Sequence, residues 1–153
     1  MTTTMTKRDC FVFDLDGTVC NVTHRRHWVA SKPKNWNAWN AGLVNDTLND
    51  AVYQTLSALN AARFAIVLVS GRGSEYRAQT EKWLRDHNVP YEALYMREAG
   101  DFRADDIIKS ELADQVEETY SIRGVFDDRK RVVDMWIARG IFVFDVAQGS
   151  GDF

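Results

Sequence analysis

The segment Asp14-Leu15-Asp16-Gly17-Thr18 places two carboxylates two residues apart at the end of the apolar run CFVFDL, Cys10 to Leu15. Ionisable groups on an apolar strand are costly to desolvate unless a cation compensates. Both acids can face one cavity if the chain turns after the strand, and Gly17 permits that turn. The chemistry such a pair supports is cation-assisted attack and proton transfer at a polar substrate. A plain strand-to-loop turn uses the same residue types, so the pair has to be weighed with the other polar residues that end apolar runs. These are Ser70, followed by Gly71 and Arg72, and the pair Asp127-Asp128, followed by Arg129. Ser70 and the Gly71 amide are suited to hydrogen-bonding a phosphate. Asp127 and Asp128 suit a hard cation, and equally suit the opening of a helix at Arg129. Lys109 stands four residues after Asp105, which on spacing alone is a surface ion pair.

The elements that must position these residues can be read from hydrophobic periodicity. Cys10 to Leu15, Ala65 to Ser70, Ile122 to Asp127 and Ile141 to Asp145 are short continuous apolar runs, the pattern of strands buried on both faces. Ala93 to Met96 is a weaker fifth. Between them lie helical stripes: Val52, Leu56, Leu59; Tyr76, Thr80, Trp83, Leu84, His87; Ile108, Leu112, Val116; and Val132, Val133, Trp136, Ile137, stopped by Gly140. Strands alternating with helices imply an α/β fold with a parallel sheet covered on both faces. Ligands of such sheets bind outside the carboxyl ends of the strands, which is where the acids and Ser70 fall.

Taken together, Asp14-x-Asp16-Gly17-Thr18, Ser70, Lys109 and Asp127-Asp128 resemble, in order and context, the four motifs of the haloacid dehalogenase (HAD) superfamily. Within it the chain is most similar to the 3′-phosphatase domains of phage polynucleotide kinase/phosphatases. Arg25, Ser70-Gly71-Arg72, Thr80-Glu81-Lys82-Trp83, Arg97-Glu98-Ala99-Gly100-Asp101, Asp105 to Lys109, Asp127-Asp128-Arg129 and the terminal Gly151-Asp152-Phe153 carry that similarity. The resemblance implies a HAD-like Rossmannoid three-layer sandwich of about five parallel strands. Residues 1–153 would form one domain, with a minimal cap inserted at about 20–50. It further implies that Asp14 is the nucleophile of an aspartyl-phosphate mechanism and Asp16 the general acid and base. Mg²⁺ would be held by Asp14, the Asp16 carbonyl and one of Asp127 and Asp128. Thr18, Ser70 and Gly71 would serve the phosphate, Lys109 would steady nucleophile and phosphate with Asp105 orienting it, and Arg25 and Arg72 would contact the substrate phosphate.

Composition sets the outer bounds. The 153 residues are 45% hydrophobic and 27% charged with a net charge of −3, an ordinary globular balance without the basic field of a general nucleic-acid binder. No apolar run approaches the roughly 18 residues of a membrane span, no secretory signal is apparent, and two cysteines, Cys10 and Cys20, make no disulfide framework. A cytoplasmic protein without an obligatory protein partner is the expectation. No G-x-x-x-x-G-K-[ST] motif occurs, so no kinase domain is expected. His24 and His27 read as rim or surface residues, and Arg26, Arg97 and Arg103 as solvated charge. Of the cap tryptophans Trp28, Trp36 and Trp39, at least two are expected to pack the cap onto the domain. The implied activity is a phosphomonoesterase for 3′-phosphate ends of polynucleotides or nucleoside 3′-phosphates. A 5′-nucleotidase and a non-catalytic module that binds nucleic-acid ends are the alternatives.

Overall fold

The computed structural model describes residues 6–148; the terminal Gly151-Asp152-Phe153 lies outside the described residues. The element order is β1 (Arg8–Phe13), β2 (Cys20–Asn21), α1 (His27–Ala30), α2 (Trp36–Ala41), β3 (Thr47–Leu48), α3 (Asp50–Ala61), β4 (Ala65–Gly73), α4 (Arg77–Asp86), β5 (Ala93–Arg97), α5 (Asp105–Thr119), β6 (Tyr120–Asp127), α6 (Lys130–Ala138) and β7 (Val143–Asp145). Five strands form one parallel sheet in the order β5-β4-β1-β6-β7. The chain runs outward from β1 to β5 on one side, then returns to β6 and β7 on the other. The order therefore switches beside β1, where such sheets bind ligands.

Alternation along the strands divides the core in two. Phe13 of β1, with Ile66 and Leu68 of β4, packs against Leu56 of α3 and Trp83 and Leu84 of α4. Val12, Val67, Val69 and Val125 point the other way, onto Ile108, Leu112 and Val116 of α5 and Val132 and Trp136 of α6. The product is the three-layer α/β sandwich that the apolar runs imply.

Several boundaries differ from the sequence reading. β4 continues past Ser70 to Gly73 because the register shifts between those residues and Gly73 pairs with Arg97. β6 starts at Tyr120, where it meets Arg8 of β1. β7 is shorter, starting at Val143, after Gly140 closes α6 at φ +81. Ile137 does not share the buried stripe of α6: it is 58% exposed.

Between β1 and α3 the chain leaves the sheet and returns through the two-residue antiparallel ladder of β2 and β3. Helices α1 and α2 lie between these two strands. Trp39 is buried there, its ring beneath the Arg25 guanidinium at 4.2 Å. Trp28 and Trp36 are 41% and 43% exposed, so one tryptophan, and not two, anchors this insertion. Trp28 packs on the neighbouring His27 ring instead of the core. No described helix is long and apolar enough to cross a membrane.

Candidate active site

The end of β1 is fixed by its neighbour, since the Asp14 amide donates to the Phe126 carbonyl at 3.0 Å. The chain then turns tightly. Cys20 N donates to Leu15 O at 2.8 Å, Gly17 N donates to Cys20 O at 2.9 Å, and Gly17 takes φ +84. Only glycine suits this position: besides the positive φ, a Cβ here would lie 2.0 Å from Asp128 Oδ2. The turn thus brings the end of β1 against the end of β6.

Into this corner α5 sends Lys109, which is 2% exposed. Its ammonium donates to Asp14 Oδ1 at 2.8 Å and to Asp127 Oδ2 at 3.0 Å. The surface pair with Asp105 suggested by spacing does not form. Asp105 instead accepts from Arg97 Nη2 at 3.2 Å and lies 3.5 Å from Arg129 Nη1. Asp127 is fully engaged, because its Oδ1 accepts from the amides of Asp128 (2.9 Å) and Arg129 (3.2 Å). Thr18 Oγ1 bridges Asp14 Oδ2 and Asp128 Oδ1 at 3.3 and 3.4 Å. Asp128 Oδ2 is buried without a hydrogen-bond partner among the described residues.

The electrostatics follow from that crowding. Burial, reinforced by Asp127, raises the Asp14 carboxyl well above its usual range despite the nearby Lys109. Burial and Asp127 likewise lift Asp128 to about 6. Burial would lower Lys109, but Asp127 and Asp14 outweigh it and hold the ammonium well above its ordinary value. Asp14, Asp127 and Asp128 offer one oxygen each within 4.8 Å of one another. Hard carboxylate oxygens, an unpartnered buried Asp128 Oδ2 and one ammonium for three acids are what a bound divalent cation such as Mg²⁺ would complete. The residues fit that ion.

Asp16 occupies a different environment. Its carboxylate accepts from Arg72 Nη2 at 2.6 Å and from Arg25 Nη2 at 2.6 Å. Burial pushes its carboxyl up, but the two guanidiniums overcome this and hold it far below the usual range. Both arginines also share Asp46, which is 2% exposed: Arg25 grips it through Nε (2.8 Å) and Nη2 (2.6 Å), and Arg72 Nη2 is 3.5 Å away. His24 Nε2 reaches the same carboxylate at 2.6 Å from an exposed position, so this surface residue also touches the network. The grouping of Asp16, Cys20 and Asp46 is therefore already compensated by the arginines.

A cleft of about 430 Å³ opens over the carboxyl edge of the sheet, lined by Asp14, Asp16, Gly71, Arg72, Lys109 and Asp128, with Trp36, Phe102 and Arg129 farther out. Thr18, Arg25 and Ser70, expected at the phosphate, and Asp127, expected at the metal, are all buried and do not line the cleft. The Ser70 hydroxyl accepts from the Arg72 amide at 3.1 Å, and Arg25 is committed to Asp16, Asp46 and the Trp39 carbonyl. Gly71 does border the cleft, and a Cβ there would meet Asp105 Oδ1 at 2.1 Å. Arg97, read as solvated, is instead an internal strut, donating to the carbonyls of Gly71 (2.8 Å), Asp101 (2.9 Å) and Arg103 (2.7 Å). Asp46 was not legible as a site residue: it stands 21 positions from Arg25 in a polar stretch with no motif around it.

Comparison with known proteins identifies the chain's family. Residues 8–153 match the family described as the polynucleotide kinase PNKP phosphatase domain. A chain of the solved Pnkp1/Rnl/Hen1 complex is 31% identical with a TM-score of 0.79, over 92% of this chain and 45% of its own. A chain of the Pnkp1/Rnl/Hen1 RNA repair complex gives 29% and 0.78, over 95% of this chain and 44% of its own. The protein thus spans less than half the length of these relatives. The class C acid phosphatase of Bacillus anthracis with tungstate bound shares the fold at 19% identity and TM-score 0.63, over 81% of this chain and 53% of its own. The chain belongs to the polynucleotide kinase PNKP phosphatase-domain family and is a HAD-superfamily phosphatase.

Proposed function

We propose that the protein is a Mg²⁺-dependent phosphomonoesterase that removes 3′-phosphates from nucleic-acid ends through an aspartyl-phosphate on Asp14. The observation that carries this reading is the Lys109–Asp14 contact of 2.8 Å at the floor of an open cleft, beside Asp128 with its unpartnered oxygen. Lys109 aims the nucleophilic carboxyl and offsets part of the burial that disfavours its ionised form, and a bound divalent cation would supply the remaining positive charge. Asp14 forms the bond to phosphorus as the ester P–O bond breaks, and water then attacks the aspartyl-phosphate, returning Asp14 and releasing inorganic phosphate. Asp16, ion-paired as a carboxylate, is in the form that takes a proton from that water. Protonating the leaving oxygen in the first step requires Asp16 to exchange an arginine contact for a proton. Asp14 Oδ2, Asp128 and the Asp16 carbonyl would hold the cation, while Asp127, whose oxygens are both engaged, orients Lys109 and the amides of Asp128 and Arg129. When bound, the ion supplies charge neutralisation for the transferring phosphoryl group.

The 3′-phosphate assignment rests on membership of the PNKP phosphatase-domain family and on likeness to chains found in an RNA repair complex. By the same likeness, residues 1–153 are proposed to work as one phosphatase unit, with residues at about 20–50 as its cap. The test offers a 3′-phosphorylated oligonucleotide, its 5′-phosphorylated counterpart and the 3′- and 5′-mononucleotides at equal concentration. The 3′-phosphates should be preferred. A tenfold or larger preference for 5′-monophosphates, about 1.4 kcal/mol in the transition state, would replace this reading with a 5′-nucleotidase.

A further inference from the structure

Phe102 is the most exposed of the large hydrophobic side chains among the described residues, at 93%, and it lines the cleft. It sits in the connection between β5 and α5, which is tied down on all sides. Arg97 holds the carbonyls of Asp101 and Arg103, the Ala99 amide donates to Ser74 Oγ at 3.0 Å, and Arg103 folds back onto Asp101 and Glu111. A braced loop thus presents an aromatic ring to water. A second aromatic, Trp36 of α2, lines the same cleft with 43% of its surface exposed, its ring supported edge-on by Trp39 at 6.4 Å. A phosphoester seated at Asp14 would direct its organic group outward, along walls that carry these two rings together with Arg129 and Arg131. An aliphatic alcohol has no use for flat aromatic surfaces among charged groups. A nucleobase, with a π-face and a polar edge, uses both.

Building on the reading of the site as a nucleic-acid 3′-phosphatase, we infer that Phe102 and Trp36 form the stacking platform for the base of the nucleotide that carries the scissile phosphate. The terminal nucleotide must then be unpaired to enter. Any base will serve, because every base has a face to stack.

The test compares two single strands that differ only at the end: one carries a 3′-phosphate on an ordinary nucleotide, the other a 3′-phosphate on an abasic residue. Stacking on one aromatic is worth about 1–3 kcal/mol per base, so kcat/KM should favour the ordinary end by about tenfold or more. Phe102→Ala and Trp36→Ala should each shrink that ratio, the double variant should bring it near one, and Phe102→Tyr should restore it. A wild-type ratio near one, or variants that slow both ends equally, would overturn the inference. A second readout needs no turnover. Binding of a dephosphorylated single strand should quench tryptophan fluorescence, with the quench reduced in Trp36→Phe and in Phe102→Ala. Absence of the quench in the wild-type protein overturns the stacking platform. A quench that depends on Phe102, in a protein that hydrolyses no 3′-phosphate, upholds the platform and overturns the catalytic reading instead.

Discussion

Lys109 is the only ammonium in contact with Asp14 and Asp127 among the described residues, and it is itself buried. Removing one partner from a buried ionic cluster leaves the remaining charges uncompensated, a loss of about 3–5 kcal/mol. Lys109→Met should therefore lose activity and also melt on the order of 10 °C lower, given about 2–4 °C per kcal/mol for a chain of this size. Asp14→Asn separates the two effects. It removes the proposed nucleophile while relieving repulsion with Asp127, so turnover of an aryl phosphate should vanish with no fall in thermal midpoint. Retention of more than a few per cent of the activity would rule out the covalent route. Arginine is no substitute for Lys109, because its planar fork cannot replace a compact ammonium between two carboxylates.

The turn after β1 couples two strands through one glycine. Gly17→Ala would force φ +84 on an alanine and drive a Cβ into Asp128. The backbone strain alone costs about 1–2 kcal/mol, and the displaced carboxylate should weaken Mg²⁺ binding measured by calorimetry. Asp46 serves a comparable purpose for the insertion. In Asp46→Ala two buried guanidiniums lose their shared counter-ion, so stability should fall by about 3–5 kcal/mol in chemical denaturation, and Asp46→Asn should recover part of it. The sheet and its helices were legible in the sequence because apolar runs and stripes are local patterns. So were Asp14, Asp16, Asp127 and Asp128, since strand ends converge in a parallel sheet. What was not legible depends on distant partners. Lys109 finds Asp14 at a separation of 95 residues, and Arg25 finds Asp46 across two short helices. Spacing alone suggested a surface pair for Lys109, and only the resemblance to the HAD motifs put Lys109 at the nucleophile and Arg25 at the substrate phosphate. Exposure of Phe102, Trp28 and Trp36 likewise depends on where loops come to rest, which composition does not encode.

For the molecule as a whole, the acidic corner makes stability depend on pH, and a cation held there would make it depend on metal as well. The Asp128 carboxyl rises from 3.8 in the unfolded chain to about 6 in the folded one. Between these values the native state binds more protons than the unfolded state, so this group favours folding at low pH and its contribution is lost as pH climbs through about 6. A divalent cation bound at this corner would reverse the sign, since it would favour the ionised acids of the native state. At a hundredfold excess over its dissociation constant it adds about 2.7 kcal/mol. Mg²⁺ should thus raise the melting temperature by roughly 5–10 °C at pH 7.5 and by distinctly less at pH 5, and Asp128→Asn should abolish the increment. Equal shifts at both pH values would place the ion elsewhere. The insertion between β2 and β3 has a further consequence, for engineering. Its two ends meet in a single two-rung ladder, Cys20 with Leu48 and Asn21 with Thr47, which invites exchanging it for a segment of another length to admit other substrates. Yet Arg25 and Asp46 lie within the exchanged piece while Asp16 and Arg72 stay behind. A transplanted segment that omits the Arg25–Asp46 pair would strip Asp16 of half its counter-charge, whereas one that brings the pair with it leaves the acid as it was. The module is portable only with its ion pair aboard.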